Sequence, residues 1–373
     1  MKRREVLGAL GTVGAGGCLR LEGDSSETAD EPDDASPSNT TGTAQAAADE
    51  RTTQESAQDT EELPLGMDQD GVSPLLADAH RSAAATTTYH LETTLEKVGE
   101  GTAHWITVDK ADGTALLGRE GIIEKYLTES RSTWRGDHRG DWTYGDVEPP
   151  WRDGLPMEWL AQRYQLKQLI AGAAFDAPSR TETAGETLFT ASASEVADEA
   201  PLLELYDWTM PEEVAAVSVE ITADADGLVR ECRAETKLVS GDDLRVMDHR
   251  FAFTDVGSTE VVEPSWLGTA REKAARIDSR VEDDFFVLEH AGGNDVVADS
   301  VLKLGSSQYY GDVPLSAPLR AGQSLWAWRE GNEISATVGR PDQASPDYLL
   351  PETNVHLTYV SADYAATSIE HLD

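Results

Sequence analysis

Val217-Ser-Val-Glu-Ile-Thr-Ala-Asp-Ala-Asp-Gly-Leu-Val-Arg-Glu-Cys-Arg-Ala-Glu-Thr-Lys-Leu-Val239 decides the architecture. Val217 to Thr222 alternates apolar and polar side chains, the two-residue period of a strand with one buried face. Asp224-Ala-Asp-Gly227 carries the Asp and Gly of a tight turn. Leu228 to Val239 then alternates again, with Leu228, Cys232, Ala234 and Leu238 on one side and charges on the other. Two alternating runs joined by such a turn predict an antiparallel hairpin. Leu244 to Thr254 continues the pattern as its next partner.

Working back from the hairpin, strands are expected at Glu186–Ser192, Tyr89–Lys97, Ala103–Asp109, Ala115–Leu117 and Ile122–Thr128, with Asp112-Gly113 as a turn. Residues 130–152, with Trp134, Trp142 and Trp151, read as irregular. Ser73-Pro74 opens a helix, with proline at a position where its missing N–H is not needed. Leu155 to Ala173 is the clearest helix. Leu155, Trp159, Leu166, Leu169, Ile170 and Ala173 form its apolar face. Residues 70–272 are therefore expected to be an α+β domain on an antiparallel sheet. Residues 273–284 read as a charged linker. Residues 285–373 carry short strands at regular spacing: Phe285–His290, Asp299–Leu304, Ser324–Arg329, Glu333–Val338 and Asn354–Val360. That spacing predicts a small all-β sandwich.

The first 18 residues read as an export signal. Lys2, Arg3 and Arg4 precede twelve uncharged, mostly small residues that end at Cys18. A run this short cannot cross a bilayer as a helix, but it fits a processed signal. Arg3-Arg4 followed by Val6-Leu7 resembles a twin-arginine signal. Ala15-Gly16-Gly17-Cys18 resembles a lipobox, which implies a lipid on Cys18 and attachment to a membrane. Residues 19–65 hold Ser, Thr, Ala, Asp, Glu and Gln with almost no large apolar side chain, and read as a disordered tether. Asn39-Thr40-Thr41 within it is the chain's one Asn-x-Ser/Thr glycosylation acceptor.

The chain has 69 Asp and Glu against 30 Lys and Arg, a formal charge of -39, and only eight lysines. Acidic excess with scarce lysine suits molar salt, where a Debye length of roughly 3 Å removes most self-repulsion. The reading is of a halophile's protein. The same charge argues against nucleic acid, whose phosphates need Lys and Arg, and against adsorption to an anionic bilayer. With Cys18 lipidated, Cys232 has no disulfide partner and reads as a buried thiol.

These features together resemble the surface lipoproteins of haloarchaea. The order of elements from about Ser73 to Glu272 is similar to the periplasmic lipoprotein carriers of the LolA and LppX kind. The likeness is carried by the opening around Tyr89, by Ala225-Asp-Gly-Leu-Val-Arg230 and by Gly257-Ser-Thr-Glu-Val-Val-Glu-Pro-Ser-Trp266. It implies a curved antiparallel sheet wrapping helices, with an apolar cavity for acyl chains. Residues Phe286 to Asp295 and Leu319 to Leu325 resemble the sandwich domains of archaeal pilins, without their long assembly helix.

No Gly-x-Ser-x-Gly, His-Glu-x-x-His or phosphate-binding glycine loop is present. No Cys/His cluster has zinc spacing. The reading is non-enzymatic, with no catalytic residue, cofactor or metal. Six of the nine tryptophans lie between Trp105 and Trp208, which suggests an aromatic-lined pocket. Its expected lining is Tyr89, Trp105, Trp134, Trp159, Leu169 and Ile170. The chain then holds or carries an apolar, lipid-like ligand outside the cytoplasm. The rival reading is a structural or adhesion lipoprotein whose cavity is filled by its own side chains and whose partner is another surface protein.

Overall fold

A computed structural model describes residues 63–97, 100–148, 154–183, 185–241, 243–306, 309–331, 333–350, 353–360 and 362–368. Arg3, Arg4, Cys18, the tether and Asn39 lie outside the described residues.

A two-strand bridge, β1 (Met67–Asp68) with β2 (Gly71–Val72), precedes helix α1 (Leu75–Ala84). Then come β3 (Tyr89–Lys97), β4 (Glu100–Asp109), β5 (Thr114–Arg119), β6 (Ile123–Leu127), β7 (Ser132–His138) and β8 (Asp141–Val147). Helices α2 (Met157–Leu160) and α3 (Arg163–Gly172) lead into β9 (Ala173–Phe175), β10 (Ser179–Thr183) and β11 (Glu186–Val196). Helix α4 (Glu199–Leu205) precedes β12 (Glu213–Asp224), β13 (Val229–Ser240) and β14 (Asp243–Thr254). These strands form one twelve-stranded antiparallel sheet in the order β10-β11-β12-β13-β14-β3-β4-β5-β6-β7-β8, with β9 on the end of β11. The last strand, β14, returns to pair with β3, Phe251 opposite Thr93 and Phe253 opposite Leu91.

The hairpin at 217–239 forms as expected, with Ile221 opposite Cys232 and a shift of register between Thr222 and Ala223 beside the turn. Its turn is tied by Asp224, whose Oδ1 accepts the N–H groups of Asp226 and Leu228. Gly227 sits there at φ +84°, a conformation that favours glycine.

The expected α+β class, a sheet wrapped on helices, is overturned: the chain is mainly β. Three differences account for this. Within the stretch 130–152 that reads as irregular, residues 132–147 form a hairpin of β7 and β8. Arg139 and Gly140 turn it at φ +57° and +96°, the pair of positive values a two-residue hairpin needs, and Asp137 Oδ1 accepts the Gly140 N–H at 2.7 Å. The helix expected over 155–173 breaks at Gln162, a left-handed residue at φ +57°, and its last residue, Ala173, already belongs to β9. Among the described residues the longest helices hold only ten residues each.

The third difference is downstream. Helix α5 (Leu267–Lys273) is followed directly by β15 (Arg276–Glu282), so the expected linker is a strand. Next come β16 (Phe285–Gly292), β17 (Val301–Gly305), β18 (Tyr310–Pro314), β19 (Ser324–Glu330), β20 (Glu333–Val338), β21 (Asn354–Tyr359) and β22 (Ala362–Ser368). They form two four-stranded sheets, β15-β16-β19-β20 and β18-β17-β21-β22. Phe286, Leu288 and Leu325 of one meet Leu302, Leu304, Val355 and Leu357 of the other in a shared core.

One face of the large sheet is inner, and it has two covers. Over β11–β14 and β3–β5 the cover is helical: Leu76 and Ala84 of α1, Leu166, Leu169 and Ile170 of α3 and Leu202 of α4 share a core with Leu91, Ile221, Cys232 and Phe251. Over β6–β8 the cover is the sandwich, whose core also takes Ile123 and Trp134.

Candidate functional site

Side-chain alternation assigns each expected pocket residue to a face. Tyr89, Leu91 and Thr93 of β3, Ile106 and Val108 of β4, Leu117 of β5, and Lys125 and Leu127 of β6 share the inner face through the pairs Tyr89–Val108, Leu91–Ile106, Ile106–Leu117 and Leu117–Lys125. Tyr89, Leu169 and Ile170 come together there, each fully or nearly fully buried in the helix-covered core. Trp159 of α2 is half-buried at its margin.

Trp105 is on the opposite face, since it pairs with Glu92 and Gly118. A Cβ on Gly118 would lie 2.9 Å from the Trp105 ring. Beside it Arg135 lies between Trp142 and Trp266, 4.4 and 5.4 Å from the ring centres. Arg135 donates to Glu124 Oε1 at 2.8 Å, and Trp266 Nε1 donates to Glu124 Oε2 at 2.6 Å. This stack holds α5 against the outer face. Trp134 is inner but belongs to the sandwich-covered core, its Nε1 donating to the Asp363 carbonyl. The six residues thus occupy three places.

Two polar groups within the helix-covered core have opposite fates. His80 of α1 is completely buried, yet both ring nitrogens are engaged. Nε2 lies 2.7 Å from the Ala161 carbonyl, and Nδ1 accepts the Val229 N–H at 3.0 Å. Those roles fix a neutral ring. Burial lowers its pKa to about 4, against a smaller upward pull from the Ala161 carbonyl. Tyr89 has no such satisfaction. Its hydroxyl is buried and makes no hydrogen bond to another protein group, and burial pushes its pKa far above the usual phenol value. Its ring packs 4.7 Å from that of Phe253. Unpartnered buried hydroxyls are uncommon in native cores and call for an explanation.

Farther along the inner face the chemistry changes from apolar to cationic. His104, one residue past the paired Trp105, and Arg119, at the end of β5, fall on the same side as Leu117 and Lys125. Lys125 is half-buried, its Nζ 6.0 Å from the centre of the Trp159 ring. Protein crowds its ammonium end, and that desolvation lowers its pKa, against an upward pull from the Asp363 carboxylate. His104 keeps an exposed edge. Its imidazole pKa is lowered by the atoms around it and then by the like charges of Arg119 and Lys125. Composition gave no hint of this strip, because two cations and an imidazole spread over 22 residues meet only once the strand register is known.

A separate open cleft of about 440 Å³ is lined by Thr88, Asp109, Asp112 and the loop 257–262. Asp109 Oδ1 there already accepts the N–H groups of Ala111 and Asp112. Among the described residues no three His, Cys, Asp or Glu side chains are placed to hold a metal, and no helix is long and apolar enough to cross a membrane.

No protein-family model and no curated protein matches the chain. Solved structures similar to it include LprF from Mycobacterium bovis, at 13% identity and a TM-score of 0.28, covering 52% of this chain and 95% of that one. The Mycobacterium tuberculosis lipoprotein LppX is similar at 12% identity and a TM-score of 0.28, covering 51% and 99%. The Pseudomonas aeruginosa MucA/MucB complex is similar at 13% identity and a TM-score of 0.25, covering 70% and 90%. Likenesses of this strength assign neither ligand nor activity to this chain.

Proposed function

We propose that this chain is an extracytoplasmic protein, anchored by lipid on Cys18, that binds an apolar, lipid-like molecule against the inner face of its large sheet. The observation that carries the reading is the Tyr89 hydroxyl, buried without a partner in an otherwise apolar core. Leaving such a group unsatisfied costs about 1–3 kcal/mol. A ligand oxygen that accepts from it recovers that energy, and a hydrocarbon chain suits the surrounding Leu91, Phe253, Leu169 and Ile170. Leu169 and Ile170 close over this face, so entry needs α3 to move outward. The left-handed Gln162 between α2 and α3 marks where the layer can flex.

One observation favours the rival structural role. Tyr89, Leu169 and Ile170 pack in a single cluster with exposures of 0%, 0% and 2%. The two readings separate on Tyr89→Phe in the full chain, with hexadecanol and hexadecane as probes. The binding reading expects wild type to take hexadecanol at micromolar affinity, about -8 kcal/mol. The variant loses severalfold in hexadecanol affinity, keeps its hexadecane affinity and melts higher when unliganded. Wild type that binds neither probe establishes the structural role.

A further inference from the structure

The inner face ends in a strip of two cations, Arg119 and Lys125, and the imidazole of His104. The chain carries 39 more carboxylates than Lys and Arg, so a gathering of positive side chains runs against its composition. The strip is built, not scattered on the surface. β4, β5 and β6 set His104, Arg119 and Lys125 on one face in adjacent rows, Lys125 opposite Leu117 in the row of Ile106, and Arg119 opposite Ile123 in the next row, toward His104. Lys125 is half-buried and Arg119 likewise. Asp363 is the carboxylate that acts on Lys125, and it belongs to the edge of the sandwich cover.

What adjoins the strip gives it direction. On one side lies Trp159, its ring 6.0 Å from Lys125 Nζ and its other contacts in the apolar helix-covered core. Cations next to an apolar margin match one kind of molecule, an anionic head joined to a hydrocarbon chain. We propose that His104, Arg119 and Lys125 bind the anionic headgroup, carboxylate or phosphate, of an amphiphile whose chain runs past Trp159 into the helix-covered core. This rests on the reading that the core takes an apolar ligand, and it narrows that ligand to an anionic amphiphile. From His104 to Val108, the strand neighbour of Tyr89, the path along β4 is four residues, about 13 Å at 3.3 Å each. A second oxygen partway along the chain would then meet the Tyr89 hydroxyl.

The overall charge does not forbid this. Distant carboxylates act through solvent and are screened beyond roughly 8 Å at physiological salt and 3 Å at 1 M. A headgroup on the strip contacts its cations inside those distances, with Lys125 already desolvated.

The test uses the full chain in 1 M potassium chloride, with hexadecyl phosphate, hexadecanol and inorganic phosphate as probes. Wild type should bind hexadecyl phosphate at least tenfold more tightly than hexadecanol. Lys125→Gln and Arg119→Gln should each remove most of that advantage and leave hexadecanol affinity unchanged, with melting temperatures showing that both variants fold. Equal affinity for the two amphiphiles, or an advantage that survives both substitutions, overturns the headgroup site and leaves apolar binding standing. Inorganic phosphate binding as tightly as hexadecyl phosphate makes the strip a free-anion site and overturns the amphiphile. Wild type that binds neither amphiphile overturns both readings.

Discussion

The indole N–H of Trp134 donates to the carbonyl of Asp363 across 2.7 Å, joining two residues 229 positions apart in the chain. The bond locks the second cover onto the large sheet. Thr143 and Tyr364 share a hydrogen bond at 2.9 Å beside it, and the Tyr359 hydroxyl donates to the Asp137 carbonyl at 2.8 Å. The indole has room because Gly145, its cross-strand partner, has no side chain. A Cβ there would lie 2.2 Å from Nε1.

Gly145→Ala should therefore push the indole off its partner. Overpacking of a buried ring costs about 1–3 kcal/mol, and the broken hydrogen bond adds to it. Thermal unfolding checks this against Gly268→Ala in α5, where a Cβ meets nothing within 4 Å and stability should rise slightly through helix propensity. Equal melting temperatures for the two variants would contradict the packing.

Stability should fall as pH drops from about 6.5 to about 4. His80 and His249 are buried, and burial lowers both pKa values to about 4. Above the unfolded value of 6.5 neither state holds the proton, so nothing changes. Between 6.5 and 4 the unfolded chain takes up protons that the folded chain refuses, and the balance shifts toward unfolding. For each ring the fall from 6.5 to about 4 corresponds to roughly 3 kcal/mol. Chemical denaturation at pH 7, 5.5 and 4.5 measures the slope, and His249→Gln should flatten it.

Removing salt should destabilise the chain. Surface pairs such as Arg131–Asp146 and Arg250–Asp248 gain from dilution, but exposed pairs contribute only about 0–1 kcal/mol each. The 39 uncompensated negative charges repel one another over a lengthening Debye distance. Repulsion wins by count. The melting temperature should rise steadily from 10 mM to 2 M potassium chloride, and a flat curve would contradict this.

Leu169→Trp inserts bulk where Leu169 is wholly buried between α3 and the sheet. It should lower stability by about 1–3 kcal/mol and block hexadecanol. Unchanged stability together with lost binding would mean that the side chain fills ligand space rather than packed core.

The two-residue period carried most of the strands, because it survives wherever one face is buried and the other is wet. Hence the 217–239 hairpin and β3 stand where alternation places them. The turn of β7 with β8 was illegible: Arg139 is a rare choice for a left-handed position, and Trp134, Trp142 and Tyr144 alternate faces too irregularly to announce a strand. The helix over 155–173 misled for a different reason. An apolar periodicity cannot report that Gln162 turns left-handed and seats its amide on the Trp159 carbonyl at 3.2 Å. For the site, alternation was enough to put Tyr89 inside, but Trp105 and Trp134 needed the pairing register, which is a long-range property. The cationic strip was invisible for the same reason.

The bond between Trp134 and Asp363 also sets a clock. At about 5–20 residues per second, a chain under synthesis takes roughly 10–50 seconds to travel from residue 134 to residue 363. Throughout that interval β6, β7 and β8 exist with Ile123 and Trp134 bare, since their cover is made after them. The nascent molecule is most prone to aggregate then, and a ribosome stalled anywhere between α5 and β21 would hold it in that condition. Slow passage through residues 267–354 should thus lower yield far more than slow passage through residues 1–62, although both leave the finished fold unchanged.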